Sequence, residues 1–428
     1  MTENTDYKSS PVWHPFTQEY IDQPPINIIK AFGAKLYSDN GREYIDAISS
    51  WWVNLHGHAN PEIASAVSNQ MKISDQVIFA GFTHPGAIDF AKEILTLLPG
   101  NMAKIFYSDN GSTSVEVAIK MALQYWHNRN INKKKILAFH HSYHGDTFGS
   151  MSVSERGAFS HPFQDFLFEV DFISSPGDLV IPKEENHKNI LAEFEKIASK
   201  GDVAAFIYEP LIQGAGGMLM YDSGILDSIL KICRYYEILC IADEVMTGFG
   251  RTGKFFASEY MSHFPDIICL SKGITGGVFA LGATACTQNI YDAFLSSDRK
   301  KTFFHGHSYT GNPVSISAAR ASLSLLKNSI SNIKFIEENH QNFAKRLEKF
   351  KNVQNIRFLG TIFAFDVVSP EDTSYFNQLR NILYKKFLEK GVLIRPLGNV
   401  VYLMPPYCIS QNELDLVYHA IEEVLSEL

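Results

Sequence analysis

An aspartate and a lysine, each closing an apolar run, offer the first chemistry in this sequence. Asp243 ends the run that starts at Leu239, and Lys272 comes after Ile267 to Leu270 and Ser271, 29 residues further along. Short, unbroken apolar runs are the pattern of strands buried on both faces. Taken singly, an aspartate at a strand end is commonly a helix cap or half of a loop ion pair. A lysine beside glycines (Gly273, Gly276, Gly277) is commonly a solvated surface charge. As a pair they point elsewhere. Burial of a strand-end lysine lowers its pKa toward the value a Schiff-base former needs. A carboxylate on a neighbouring strand end can keep a pyridine nitrogen protonated, so the two together suit pyridoxal phosphate.

Such a cofactor also needs an anion site. Residues 106–113 (FYSDNGST) come after an apolar run and lead into a helix expected from Ser114. Gly111 allows close backbone approach, Thr113 and Glu116 stand at capping-box spacing, and first-turn N–H groups attract phosphate. Tyr143, within HHSYHGD at 140–146, lies just past another apolar run and is suited to pack on a planar ring. His140, His141 and His144 also admit a metal reading, but no helix or carboxylate pattern accompanies them, and no metal is expected.

The elements that must position these residues are strands and helices in alternation. Lys135–Phe139, Ala204–Tyr208, Leu239–Ala242 and Ile267–Leu270 read as buried strands. Val115, Ile119, Ala122 and Trp126 share one helical face between them. This order predicts an α/β fold, a mostly parallel sheet covered on both sides with ligands at the carboxyl ends of its strands. The ends of the chain mix short strands such as Ile362–Asp366 with amphipathic helices such as Leu414–Leu425. Residues 1–55 and 326–428 are expected to form one smaller α+β domain around a larger domain spanning 56–325. Residues 22–26 and 183–189 read as surface loops.

Composition narrows the partners. The 428 residues carry a formal net charge of −8 with both signs interspersed, so neither nucleic acid nor an anionic membrane is expected. Five cysteines without a CxxC pair, four of them in apolar surroundings, read as reduced thiols of a cytoplasmic protein. The polar start of the chain lacks a signal region, and no run approaches the ~18 apolar residues of a membrane span.

Longer motifs carry a resemblance over nearly the whole chain. They are WHPFTQ (13–18), SSWW (49–52) with His56 and Gly57, YHGDTFG (143–149), QGAGG (213–217), GFGRTG (248–253), FHGHSYTGNP (304–313), IRPLG (394–398) and YLMPP (402–406). With Asp243, Glu244 and the downstream lysine, the chain resembles the class III aminotransferases. These are fold-type-I pyridoxal-phosphate enzymes with a seven-stranded, mostly parallel sheet. The tryptophan pair, YHGD and RPLG resemble the family's biotin-biosynthesis branch.

The resemblance implies roles. Lys272 holds pyridoxal 5'-phosphate as an aldimine, Asp243 binds its ring nitrogen, Gly111 and Ser112 bind its phosphate, and Tyr143 packs on the ring. His307 and Ser308 reach the phosphate of the other subunit, so a homodimer with shared active sites is implied. Trp51, Gly306 and Arg395 line the substrate pocket, with Arg395 pairing the carboxylate of a long-chain oxo acid, a bidentate contact that guanidinium makes well. Two positions depart from the pattern. Phe16 replaces the tyrosine of adenosylmethionine-using members and matches lysine-using ones, so the amino donor stays open. His307-Ser308 replaces a common Pro-Thr, though serine keeps the hydroxyl. Met246 stands where more distant members place glutamine near the ring oxygen. An ω-amino acid transaminase or an aminomutase of the same family is the alternative reading.

Overall fold

The computed structural model describes residues 10–157, 159–371, 373 and 375–428. Seven strands form its central sheet: β1 (Met102–Ser108), β2 (Lys135–Phe139), β3 (Asp171–Ile173), β4 (Val203–Tyr208), β5 (Leu239–Asp243), β6 (Ile267–Leu270) and β7 (Gly282–Thr287). Their lateral order is β1-β7-β6-β5-β4-β2-β3. β7 runs antiparallel to both its neighbours, and the other pairings are parallel. The expected α/β class, with a mostly parallel sheet, is the one observed.

The apolar runs form strands because both faces of the sheet are covered. Along β4, Phe206 and Tyr208 join one hydrophobic cluster while Ala205 and Ile207 join the other. β5 divides the same way, with Cys240 and Ala242 on one side and Leu239 and Ile241 on the other. That is the period-two alternation of a strand, here apolar on both faces up to Asp243 at the end of β5.

Helix α1 (Gly111–Asn128) buries the expected face, Val115, Ile119, Ala122 and Trp126. It begins three residues before the expected Ser114, and its capping box is not the predicted Thr113–Glu116 pair. Asn110 is the cap: its side chain accepts from Thr113 N (3.0 Å), and Thr113 Oγ1 accepts from Asn110 N (3.0 Å). Glu116 is engaged elsewhere, accepting from Thr147 Oγ1 (2.6 Å) and Gly149 N (2.7 Å). Two overlapping boxes three residues apart cannot both form, and the earlier one prevails.

The expected surface loop at 183–189 is instead the start of helix α2 (Lys183–Ala198). Asn186, Ile190, Phe194 and Ala198 make its buried face, and Asn186 Nδ2 donates to Ser175 O at 2.9 Å. Glu184 and Glu185 occupy the first turn, where the helix dipole favours negative charge. The charge that suggested a loop covers the exposed side. Residues 22–26 have no helix or strand, as expected. Four cysteines are buried thiols, and Cys408 is exposed.

The two ends of the chain share a sheet. Ile28–Phe32, Lys35–Ser38 and Glu43–Asp46 are antiparallel neighbours, and Val392–Leu393 adds in parallel beside the last. Asp46 stands opposite Leu393 in that register. A further antiparallel sheet joins Val353–Leu359, Ile362–Val367 and Val400–Leu403, and the closing helix runs Gln411–Ser426.

The interior of the large sheet sets a stability test. Phe206 is fully buried between Phe139, Phe194 and Tyr208. Phe206→Ala is expected to destabilise the protein by about 3–5 kcal/mol, read as a lower midpoint in denaturant-induced loss of circular dichroism. A midpoint within error of wild type would contradict this packing.

Candidate active site

Residues just past the parallel strands gather at one edge of the sheet. Asp109 to Ser112 come after β1, Tyr143 and His144 after β2, and Glu209 after β4; Asp243 ends β5, and Lys272 lies past β6. All of them line one cleft of about 710 Å³.

Lys272 starts a short helical turn (Lys272–Thr275) with a left-handed backbone, φ +39°, a conformation that side chains resist. Gly277 behind it has φ +86°, and a Cβ there would stand 3.0 Å from the backbone of Asn54, so only glycine fits without displacement. The lysine side chain opens into the cleft but is withdrawn from the surface. Its Nζ lies 4.7 Å from the centre of the Trp52 ring, and Trp52 Nε1 donates to Tyr402 OH at 3.0 Å. Burial lowers the lysine pKa, and the more distant carboxylates of Asp243 and Glu209 oppose that shift without cancelling it. The result favours the neutral, nucleophilic amine.

Asp243 is 5% exposed. Its Oδ2 accepts from His144 Nδ1 at 2.8 Å and its Oδ1 from Val245 N at 3.1 Å. The imidazole is wholly enclosed, and its Nε2 has no hydrogen-bond partner among the described residues. Glu209, which no sequence motif singles out, accepts from Tyr143 N (3.1 Å) and Gly214 N (2.9 Å). Burial pushes its carboxyl up from 4.5 to about 7, with His144 pulling against the shift and Asp243 adding to it. The one sequence signal that points to Glu209 is its place directly after the apolar run of β4.

The three histidines whose spacing admits a metal part company. His140 and His141 each point Nδ1 at Glu155 (3.0 and 3.2 Å), while His144 serves Asp243. Among the described residues, no group of three or more His, Cys, Asp or Glu side chains is placed to hold a metal ion.

At the other end of the cleft, the N–H groups of Gly111 and Ser112 precede the first bond of α1, from Ser114 N to Asn110 O. A Cβ on Gly111 would stand 2.8 Å from Val245 Cγ1, so glycine lets the turn after Asp243 pack on the helix start. The Tyr143 loop docks on the same turn: Asp146 N donates to Ser112 Oγ at 3.2 Å, and Ser150 Oγ to Ser112 O at 2.7 Å. Burial first, and the Asp146 carboxylate second, push the Tyr143 phenol well above its usual pKa.

Trp51 and Trp52 come from a distorted turn. Ser49, Ser50 and Trp52 have φ of +52°, +61° and +66°, each a departure costing about 1–3 kcal/mol in a non-glycine residue. The turn sends Trp52 toward Lys272 and Trp51 outward, where the Arg395 guanidinium lies 5.2 Å from its ring centre. Phe16 meets Trp51 edge-on at 5.3 Å and Phe159 at 5.9 Å, forming an aromatic wall. Met246 is buried at the cleft floor.

Of the residues singled out in the sequence, Gly111, Ser112, Tyr143, Asp243, Lys272 and Trp51 share the cleft. Arg395 joins through Trp51. Gly306, His307 and Ser308 do not line it. They lie in a separate loop, where Ser308 O accepts from Gln76 Nε2 at 2.9 Å.

Comparison with known proteins matches residues 17–425 to the family described as aminotransferase class-III. The chain belongs to the class III aminotransferases. A Synechococcus elongatus protein named adenosylmethionine-8-amino-7-oxononanoate aminotransferase is 46% identical over 97% of this chain and 99% of its own. A Helicobacter pylori protein of the same name is 38% identical over 97% and 96%. The crystal structure of the enzyme of that name from Methanocaldococcus jannaschii superimposes with a TM-score of 0.89 at 35% identity, covering 96% of this chain and 97% of that one. An amine transaminase from an uncultivated Pseudomonas species, solved with its cofactor, gives 0.91 at 28%, covering 98% and 99%.

As a class III aminotransferase the chain works with pyridoxal 5'-phosphate, and the cleft fits that group. It offers a buried carboxylate backed by an imidazole, a desolvated amine, and a glycine-opened helix start for a phosphate.

The raised Glu209 carboxyl sets a pH test on the apoprotein. Between about pH 4.5 and 7 the folded protein keeps a proton that the unfolded chain has lost. Stability therefore falls as pH rises through that window, by about 3 kcal/mol in total. Glu209→Gln is expected to flatten this fall in denaturation midpoints measured across the window. An unchanged slope in the variant would refute the assignment.

Proposed function

We propose that this aminotransferase converts 8-amino-7-oxononanoate to 7,8-diaminononanoate in biotin biosynthesis, with adenosylmethionine as amino donor. The observation that carries the reading is the placement of an amine and a guanidinium over adjacent indoles. The Lys272 amine faces Trp52, and the Arg395 guanidinium faces Trp51. An apolar track thus separates a reacting amine from a carboxylate anchor, which suits a straight-chain oxo acid. Arg395 forms no ion pair among the described residues, so its charge is free for a substrate carboxylate. The relatives' shared name supports the same substrate.

Pyridoxal phosphate, when bound, supplies an aldehyde that takes up an amino group and a ring that withdraws electrons. The protein's residues do the rest. Asp243 holds the proton on the ring nitrogen, and His144 fixes the carboxylate in place. Gly111 and Ser112 anchor the phosphate through the start of α1. Tyr143, which lines the cleft, would pack on the ring. Lys272 Nζ would hold the aldehyde and, when free, would serve as the base that moves a proton at the donor carbon. The apolar wall of Trp51, Trp52 and Phe16 keeps water from the reacting atoms.

The same reading makes the enzyme a cytoplasmic homodimer. Exposed Phe304 and Tyr309 flank Gly306, His307 and Ser308, and His307 Nε2 has no hydrogen-bond partner among the described residues. This loop supports the phosphate and substrate of the neighbouring subunit, with Ser308 supplying a hydroxyl. No helix among the described residues is long and apolar enough to cross a membrane. The division into a cofactor-bearing domain (56–325) and a smaller one from 1–55 and 326–428 belongs to this proposal. The strand exchange between the chain ends supports it.

Phe16 favours a second donor, lysine, because its ring lines the cleft without a hydroxyl. Adding adenosylmethionine or lysine separately to the purified protein and monitoring the cofactor's visible spectrum decides between them. Only the true donor shifts the bound cofactor to its amine form.

Two substitutions test the roles. Lys272→Ala is expected to lower turnover by at least about 10⁴-fold and to remove the visible band of lysine-bound cofactor; normal activity would end this account. Arg395→Ala is expected to raise KM for the oxo acid about tenfold to a hundredfold, matching the ~1.5–3 kcal/mol of a hydrogen bond to a charged group. An unchanged KM with a different preference in a substrate panel would favour another ω-amino acid transaminase.

A further inference from the structure

The turn that presents both tryptophans is held by a carboxylate–imidazole hydrogen bond outside the cleft. Asp46 is fully buried, and its carboxylate accepts from Ser50 N (2.9 and 2.7 Å), Ser50 Oγ (3.3 Å) and Ile48 N (3.3 Å). His58 Nε2 completes the set at 2.8 Å from Asp46 Oδ2. These bonds close on Ser50, whose φ of +61° and ψ of −93° lie far from the ordinary regions. Ser49 Oγ adds a bond to Met404 O at 2.8 Å. His58 is itself anchored, exchanging both backbone bonds with Gly33 (3.1 and 2.8 Å). Asp46 also stands beside Leu393 in the parallel pair, two residues before Arg395. The carboxylate therefore sits where the strand leading to Trp51 meets the strand leading to Arg395.

We propose that Asp46 and His58 are positioning residues for substrate recognition, locking the strained turn so that Trp51 lies under the Arg395 guanidinium. A buried carboxylate accepting several N–H bonds is a stiff anchor, and a backbone held in a rare conformation relaxes when its anchor goes. Neither residue lines the cleft, so they act through the turn that carries Trp51. This inference rests on the reading of a carboxylate-bearing straight-chain substrate.

The test is calorimetric binding of nonanoate, a straight-chain monocarboxylate, to the holoenzyme. Asp46→Ala and His58→Leu are expected to weaken binding about tenfold, the loss of one well-placed charged contact. His58→Gln, which keeps a donor toward Asp46, is expected to stay within about twofold of wild type. In a Trp51→Ala background, Asp46→Ala is expected to add almost nothing, because the two changes remove one interaction. Wild-type affinity in Asp46→Ala or His58→Leu, or an equal further loss on top of Trp51→Ala, would overturn the proposal. If Asp46→Ala does not fold, the His58→Leu and His58→Gln pair decides, since that imidazole sits at the edge of the pair with 14% of its side chain exposed. A wild-type protein that binds nonanoate no better than Arg395→Ala does would remove the substrate reading and this proposal with it. A wild type that binds nonanoate better than Arg395→Ala does, with Asp46→Ala and His58→Leu binding it as tightly as wild type, would remove the proposal alone.

Discussion

Lys272, Asp243, Glu209 and His144 are all drawn out of water into one cleft, and the cost of gathering them governs the site around them. An uncompensated buried charge costs several kcal/mol, so each carboxylate here is answered locally. Asp243 receives an imidazole N–H and a backbone N–H, and Glu209 receives two backbone N–H groups. The lysine is treated differently. Among the described residues no carboxylate or hydrogen-bond acceptor meets Nζ, only the face of Trp52. A direct ion pair would fix the ammonium and spoil the nucleophile. Charge at a remove, combined with burial, leaves an amine that can lose its proton.

That arrangement requires backbone shapes that ordinary sequences avoid. Lys272 and three of the four residues from Ser49 to Trp52 have positive φ without being glycine. Such conformations persist when surrounding contacts determine them. At Lys272 the short turn ends on a left-handed Gly276, and Gly277 admits the backbone of Asn54. Asn54 lies just beyond the tryptophan turn, so the two strained segments brace each other. Arg251 reinforces the junction: fully enclosed, it donates to Pro405 O at 2.8 Å and approaches the carbonyls of Trp52 and Asn54.

The same physics decides which parts of the site are legible in the sequence. Asp243 and Lys272 are legible because continuous apolar runs mark strands, and parallel strands bring the residues at their carboxyl ends to one edge of the sheet. Glu209 obeys the same rule, yet a glutamate before proline looks like a solvated strand exit until the enclosing loops are seen. The bond from His144 to Asp243 spans 99 residues and leaves no local trace. Charge misleads at 183–189, where a helix buries only every fourth residue and presents the rest to water. The cap of α1 is displaced because Asn110 and Thr113 satisfy the same spacing as Thr113 and Glu116. The positive φ values around Trp51 have no sequence signal, since serine and tryptophan are not residues that announce a left-handed turn.

The site is consequently built from two kinds of support. The cofactor half hangs on strand ends of a sheet packed on both faces, where small displacements are resisted by the whole core. The substrate half hangs on a short parallel pairing between segments from opposite ends of the chain, Glu43–Asp46 and Val392–Leu393. The halves meet at two adjacent indoles, Trp52 facing the amine and Trp51 facing the guanidinium. Because residues 51 and 52 share a turn but face different partners, a change in the tilt of that turn alters where a substrate carboxylate is held while leaving the cofactor's anchors in place. Selectivity in this architecture thus depends less on the cofactor-bearing sheet than on how firmly Ser49, Ser50 and Trp52 are kept in an unfavourable conformation.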